Sequence, residues 1–202
     1  MPRLAAVPWR SALPVLLILL ILSGCTGRTA RQASPALPET LPAVGSELRP
    51  QMVAARRPVQ CVAYARALSG LPIRGDAWTW WPAADGRYLR NRTPRPGALL
   101  VLERTRRLRH GHLAMVTHVL GPRQILVDHA NWLNQGRIHR HTPVVDVSPG
   151  NDWSLVRVWY IPGNRLGSNS YPAYGFVHPE ALTAAAPSPA RRNASFPPAR
   201  KS

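Results

Sequence analysis

The chain has 202 residues, enough for one ordinary domain with tails and too few for two comfortable ones. Its 26 basic residues against 9 acidic ones give a net charge of +17, and every basic residue except Lys201 is arginine. Such a surface favours polyanions. The arginines are scattered, however, with no aromatic-and-basic platform or helix-turn-helix pattern, which sets nucleic acid aside as a partner.

The opening stretch "MPRLAAVPWRSALPVLLILLILSGC" places Arg3 and Arg10 before a continuous apolar run, Ala12 to Leu22. Eleven residues fall short of the roughly 20 that a membrane-spanning helix needs, but they suit the apolar region of a signal peptide. The run ends in "LSGC", Leu22 to Cys25, which resembles the lipobox of bacterial lipoproteins. That resemblance implies a signal peptide over residues 1–24 and lipidation of Cys25. Thr26, rather than Asp, follows the cysteine; by the same resemblance this implies the periplasmic face of the outer membrane. Residues 25–56 are rich in Pro, Ala, Arg and Thr and read as a disordered tether. Residues 179–202 have the same character and read as a disordered basic tail, which leaves 57–178 as the folded part.

"VQCVAYARALSG" puts Cys61 at the start of a short helix: Val62, Ala65 and Leu68 recur at helical spacing, and Gly70 supplies a C-cap. A thiol at a helix N-terminus faces unpaired N–H groups and the positive end of the dipole, which favour the thiolate and lower its pKa. Pairing with Cys25 is the ordinary expectation for two cysteines in an exported chain. Lipidation of Cys25 would leave Cys61 as the one free thiol. "GDAWTWWPAADGRY" then brings Trp78, Trp80 and Trp81 together, either as core or as the wall of a groove for a sugar-peptide chain.

"RPGALLVLE" gives a turn at Pro96-Gly97 and a strand from Ala98 to Glu103. After the basic loop "RTRRLRHG", the stretch "HLAMVTHVLG" reads as a strand with His112 on its threshold, and "QILVDHANW" returns from a short turn. Folding this hairpin places position 112 opposite roughly 131 to 133. A polar group on the return strand is thereby in reach of the imidazole's far nitrogen, where it would fix the tautomer. Side-chain alternation puts His129 and Asn131 on one face and Asp128 on the other, and a one-residue slip exchanges them. A zinc site built from His110, His112, His118 and His129 is the chemical rival, although no HExxH or paired-cysteine motif supports it. His118 falls within the sheet or at its edge, and His139 and His141 read as lying in a polar loop. Leu155 to Trp159 form a further strand, and Asp152 caps the turn before it.

Taken in order, "VQCVAYARALSG", "GDAWTWW", "PGALLVL", "GHLAMVTHV" and "LVDHANW" resemble the CHAP family of cysteine- and histidine-dependent amidohydrolases and peptidases, over about residues 57 to 162. The resemblance implies a papain-like α+β fold, with the cysteine-bearing helix packed on an antiparallel β-sheet. It implies thiol cleavage of amide bonds in peptidoglycan stem peptides, with no metal or organic cofactor. Cys61 falls on the family's nucleophile and His112 on its base. Gln60 falls on the glutamine that holds the oxyanion with the Cys61 N–H. Where the family often has "ExNW", this chain has "HANW": His129 replaces Glu and Asn131 keeps Asn. The orienting group is therefore read as Asn131 first, then Asp128, then His129. Ala98 stands where the family often has Asp. A catalytically inactive peptidoglycan- or envelope-binding lipoprotein on the same scaffold is the alternative.

Overall fold

The structure is a computed structural model that describes residues 45–182. The signal peptide, Cys25, most of the tether and nearly all of the C-terminal tail lie outside the described residues. Among the described residues, no helix is long and apolar enough to cross a membrane.

The expected papain-like arrangement of a helix on a sheet is overturned: the domain is mostly β, and its sheet closes. Strands β3 (Leu99–Leu102), β4 (His112–Gly121), β5 (Gln124–Ala130), β6 (Ile138–Asp146), β7 (Leu155–Tyr160) and β8 (Arg165–Ala181) each pair antiparallel with the next. β8 returns to β3, completing a six-stranded barrel. β1 (Gln51–Val53) adds to β6, and β2 (Tyr88–Asn91) adds to β8. The helices are short: α1 spans Cys61–Ser69 and α2 only Trp80–Ala83. The strand boundaries run past those expected for the domain, since β1 lies in the stretch read as tether and β8 ends at Ala181.

Closure depends on β6 and β8, which sequence patterning hides. "IHRHTPVVD" begins with alternating basic and histidine residues and carries Pro143, and "RLGSNSYPAYGFVHPEA" carries Pro172, Pro179 and two glycines. Proline within an apolar run demotes it as a strand. Both elements nevertheless pair on two sides: β6 contacts β5 and β7, and β8 contacts β7 and β3.

The barrel interior follows the two-residue period of its strands. Leu100 and Leu102, Ala114 and Val116, Ile125 and Val127, Val144, and Val156 and Val158 form one buried cluster with Trp153 and Phe176. The intervening residues Leu99, Val101 and Leu113 face outward and pack with Ala65 of α1 and Trp80 of α2. β3 is consequently buried on both faces, which explains its uninterrupted "LLVL". Each such large apolar side chain contributes about 1.5–3 kcal/mol when fully buried. Trp80 is core, Trp81 stacks on Tyr174, and Trp78 lies at the edge under Arg104. The tryptophan cluster is thus structural. Asp152 accepts hydrogen bonds from the Ser154 backbone and hydroxyl and pairs with Arg92, as a turn cap does.

Gly111 sets the entry into β4. Its φ is +67°, and a Cβ there would lie 2.7 Å from the Leu102 carbonyl oxygen and 2.8 Å from the Trp78 backbone nitrogen. Neither backbone atom has room to retreat. Gly111→Ala is therefore expected to cost about 2 kcal/mol or more of stability. Urea unfolding checks this, and a loss below about 0.5 kcal/mol would show that the strand entry relaxes freely.

Candidate active site

Cys61 is the first residue of α1, preceded by Gln60 in an extended conformation as N-cap. The first helical hydrogen bond runs from the Tyr64 N–H to the Gln60 carbonyl, at 3.0 Å, so the earlier N–H groups have no helical partner. The backbone N–H groups of Leu113, Val62 and Cys61 itself are directed at the sulfur and pull its pKa down. Burial outweighs them, and Asp76 adds to the burial effect, so the thiol lies above its ordinary value. The helix start was expected to lower it. The N–H groups act as expected, but packing against β4 removes the water that would stabilise a thiolate.

His112 opens β4 on the strand face that continues into the barrel through Ala114 and Val116. Its Nε2 lies 2.9 Å from His129 Nδ1, and His129 Nε2 lies 3.2 Å from the Thr142 hydroxyl. His129 and Thr142 share the inward faces of β5 and β6 with Val127 and Val144. The barrel thus ends in a polar layer above its apolar one. Trp132 lies edge-on against the His112 ring and tilted against the His129 ring, with centroids 4.8 Å and 5.5 Å away. Tyr171 backs Trp132 at 5.0 Å. Desolvation under this cover holds His112 near pKa 3 and pushes His129 well below its ordinary value. His139, whose ring centroid is 5.1 Å from that of His129, is lowered as well by burial.

Only one direction of hydrogen bonding leaves His112 able to take a proton from a thiol. If Nε2–H donates to His129 Nδ1, then Nδ1 of His112 carries the lone pair. His129 is then protonated at Nε2 and donates to Thr142.

Asn131 does different work. Its Nδ2 donates to Gln60 Oε1 at 2.7 Å, and its Oδ1 accepts from the Gly136 N–H at 2.8 Å. The residue has φ +60°, a left-handed conformation that asparagine tolerates. The Val59 N–H reaches the Gly136 carbonyl at 3.0 Å, so the segment leading into Cys61 is laced to the loop after β5. With Oε1 occupied by Asn131, the amide N–H groups of Gln60 remain free to donate. Asp128 turns away from His112 and accepts from the His141 N–H at 2.8 Å. Of the three candidates for orienting His112, the one ranked last is the one in contact with it. β5 ends at Ala130, so the strand row that faces His112 stops at His129.

The four histidines of the zinc alternative are spread over three places: His110 pairs with Asp76, His118 lies against His141, and only His112 and His129 meet. Among the described residues, no group of three or more His, Cys, Asp or Glu is arranged to hold a metal ion. Thr142, Tyr171 and His139 carry no signal in a single sequence, because they reach the site only through the closure that β6 and β8 provide.

Cys61, His112, Gln60 and Asn131 open on one cavity of about 390 Å³, walled further by Trp132, Tyr171 and the 106–110 loop. Residues 53–131 match the family model of the CHAP domain. No curated protein matches the chain.

Two measurements follow from these electrostatics. Below pH 6.5 the unfolded chain binds more protons than the folded one, because burial holds His112, His129 and His139 neutral, and for His112 the difference persists down to about pH 3. Their contribution to stability is complete above pH 6.5 and is lost as pH falls through that window. Each histidine adds a slope of up to about 1.4 kcal/mol per pH unit. The thermal midpoint is expected to drop steeply between pH 6.5 and 4, and a flat profile would contradict the dry histidine layer. Alkylation of Cys61 by iodoacetamide is expected to rise with pH through a midpoint above 9, the ordinary thiol value. A midpoint near 6 would instead reveal a resting thiolate–imidazolium pair.

Proposed function

The chain carries a CHAP domain, and from that premise we propose a thiol amidohydrolase or endopeptidase that cleaves amide bonds of peptidoglycan stem peptides. CHAP domains are a peptidoglycan amidase- and peptidase-type family. The reading rests above all on Cys61 and His112 sharing one cavity while His129 holds the far nitrogen of His112.

In this reading the resting pair is neutral. As Sγ attacks the amide carbonyl, His112 Nδ1 takes the thiol proton, acting as general base within the step. The tetrahedral oxyanion is received by the Cys61 N–H and by the Gln60 amide, which Asn131 holds with its nitrogen free. His112 passes its proton to the leaving amine, and a thioester remains on Cys61. Water, deprotonated by the same imidazole, hydrolyses the thioester and restores the thiol. The cost of an imidazolium in a dry site is offset by the oxyanion that forms with it. His129 accepts from Nε2–H throughout and fixes the tautomer without a charge, in the place where the family often has a carboxylate.

We further propose that the protein is a lipoprotein, anchored through Cys25 to the periplasmic face of the outer membrane, with peptidoglycan as its partner. The "LSGC" sequence supports that reading. The second reading, wall binding without turnover, draws on the raised pKa of Cys61.

Incubating the purified protein with peptidoglycan, beside Cys61→Ala, separates the two. Soluble fragments from the parent alone are expected, and the mass of their new ends identifies the bond. Binding to the wall with no fragments from either protein would favour the second reading. His129→Leu is expected to lower turnover about 100-fold or more, because the tautomer is no longer fixed. His129→Gln, whose carbonyl still accepts from Nε2–H, is expected to recover part of it.

A further inference from the structure

The loop between β3 and β4 carries Arg104, Arg106, Arg107 and Arg109 within six positions. We propose that this loop is an anion-binding wall of the cavity, so that the substrate carries free carboxylates beside the amide presented to Cys61. The inference rests on the hydrolase reading for the nature of that substrate.

Arg106, Arg107, Arg109 and His110 line the cavity, and no aspartate or glutamate does. All four are exposed. The arginine–carboxylate pairs among the described residues lie elsewhere, at Arg90–Asp85, Arg92–Asp152 and Arg123–Asp146. The acids the fold uses for pairing therefore leave the three loop arginines unmatched. Asp76, an acid near the loop, is engaged by His110 at 3.1 Å. Arg104 is turned aside over Trp78.

The loop is also built to hold its shape. The Thr105 N–H donates to the Leu108 carbonyl at 3.0 Å, the Leu108 N–H to the Thr105 hydroxyl at 2.9 Å, and the Gly111 N–H to the Leu108 carbonyl at 3.0 Å. Leu108 packs against the barrel core. Arg106 and Arg107 thus stand at the tip of a closed turn with its hydrophobic foot fixed. A cavity of 390 Å³ is roughly 9 Å across, about one Debye length at physiological salt. A carboxylate inside it feels the arginines without full screening, and a guanidinium can hold it through two parallel hydrogen bonds. The volume suits a short peptide and excludes a nucleic-acid duplex. The net charge of +17 is spread over the whole chain, but these three side chains concentrate it at the thiol.

Iodoacetate and iodoacetamide test the wall, since both alkylate a thiolate with loss of iodide and differ chiefly in charge. The full chain is treated with each at pH 9, and labelling is quantified on the peptide containing Cys61. Taking the ratio of the two rates cancels any change in the thiol's own pKa. In 50 mM salt the iodoacetate-to-iodoacetamide ratio at Cys61 is expected to exceed that of N-acetylcysteine amide severalfold, and to fall towards it in 1 M salt. In Arg106→Gln/Arg107→Gln/Arg109→Gln, with its thermal midpoint checked, the ratio is expected within about twofold of the reference thiol. A parent ratio no higher than the reference overturns the proposal, as does a folded triple variant that keeps the parent ratio. Cys61 labelled by neither reagent overturns it too, because such a cavity admits no carboxylate. The salt series needs no variant and decides the matter if the triple substitution does not fold. Peptidoglycan fragments without an iodoacetate preference overturn the anion-binding wall alone. A preference without fragments overturns hydrolysis alone.

Discussion

The hydrogen bond between His112 and His129, 2.9 Å long and shut under Trp132, is the constraint on which the rest of the site depends. Two neutral imidazoles can share one proton between facing nitrogens in only one way that leaves the lone pair of His112 Nδ1 free. A buried carboxylate at position 129 would bring a charge into the barrel mouth and require compensation there. An imidazole brings none, and Thr142 completes its hydrogen bonding at the other end. The consequence is that burial favours the uncharged form of both Cys61 and His112.

Barrel closure is what assembles this layer. His112, His129 and Thr142 come from three neighbouring strands, each following the inward row of its strand to the barrel's end. Tyr171, on β8, supports the cover from the far side of the ring of strands. The cysteine arrives from outside: α1 packs against β4 and β5, and its Ala65 joins the outward cluster that holds Leu99, Val101 and Leu113. Cys61 and His112 thus approach the cavity from the two faces of the sheet, and the entry into β4 turns at Gly111, whose missing side chain lets the chain pass between Leu102 and Trp78. The Asn131–Gln60 hydrogen bond and the Val59–Gly136 contact then tie the helix start to the loop beyond β5.

Electrostatics separate the two walls of the cavity. The histidine side is dry and uncharged, and the loop side carries unmatched arginines open to solvent. The cavity is therefore electrostatically asymmetric, with its positive charge gathered at the loop wall.

The sequence by itself determined the local pieces. The helix starting at Cys61 and ending at Gly70, the β4–β5 hairpin and the strand from Leu155 are written in short-range periodicity and turn residues, which do not depend on distant partners. The family was legible for a related reason, because its motifs are local strings spanning residues 53–131. Only the tertiary structure decided that the sheet closes, because β6 and β8 owe their strand conformation to neighbours on both sides that outweigh their prolines and polar residues. It likewise decided that His129, rather than Asn131, meets His112: β5 ends at Ala130, and Asn131 turns out of the strand at φ +60° to bond Gln60 and Gly136, which no pattern of alternation foretells. The thiol's pKa was settled there too, since the helix start is local while the burial that overrides it is not.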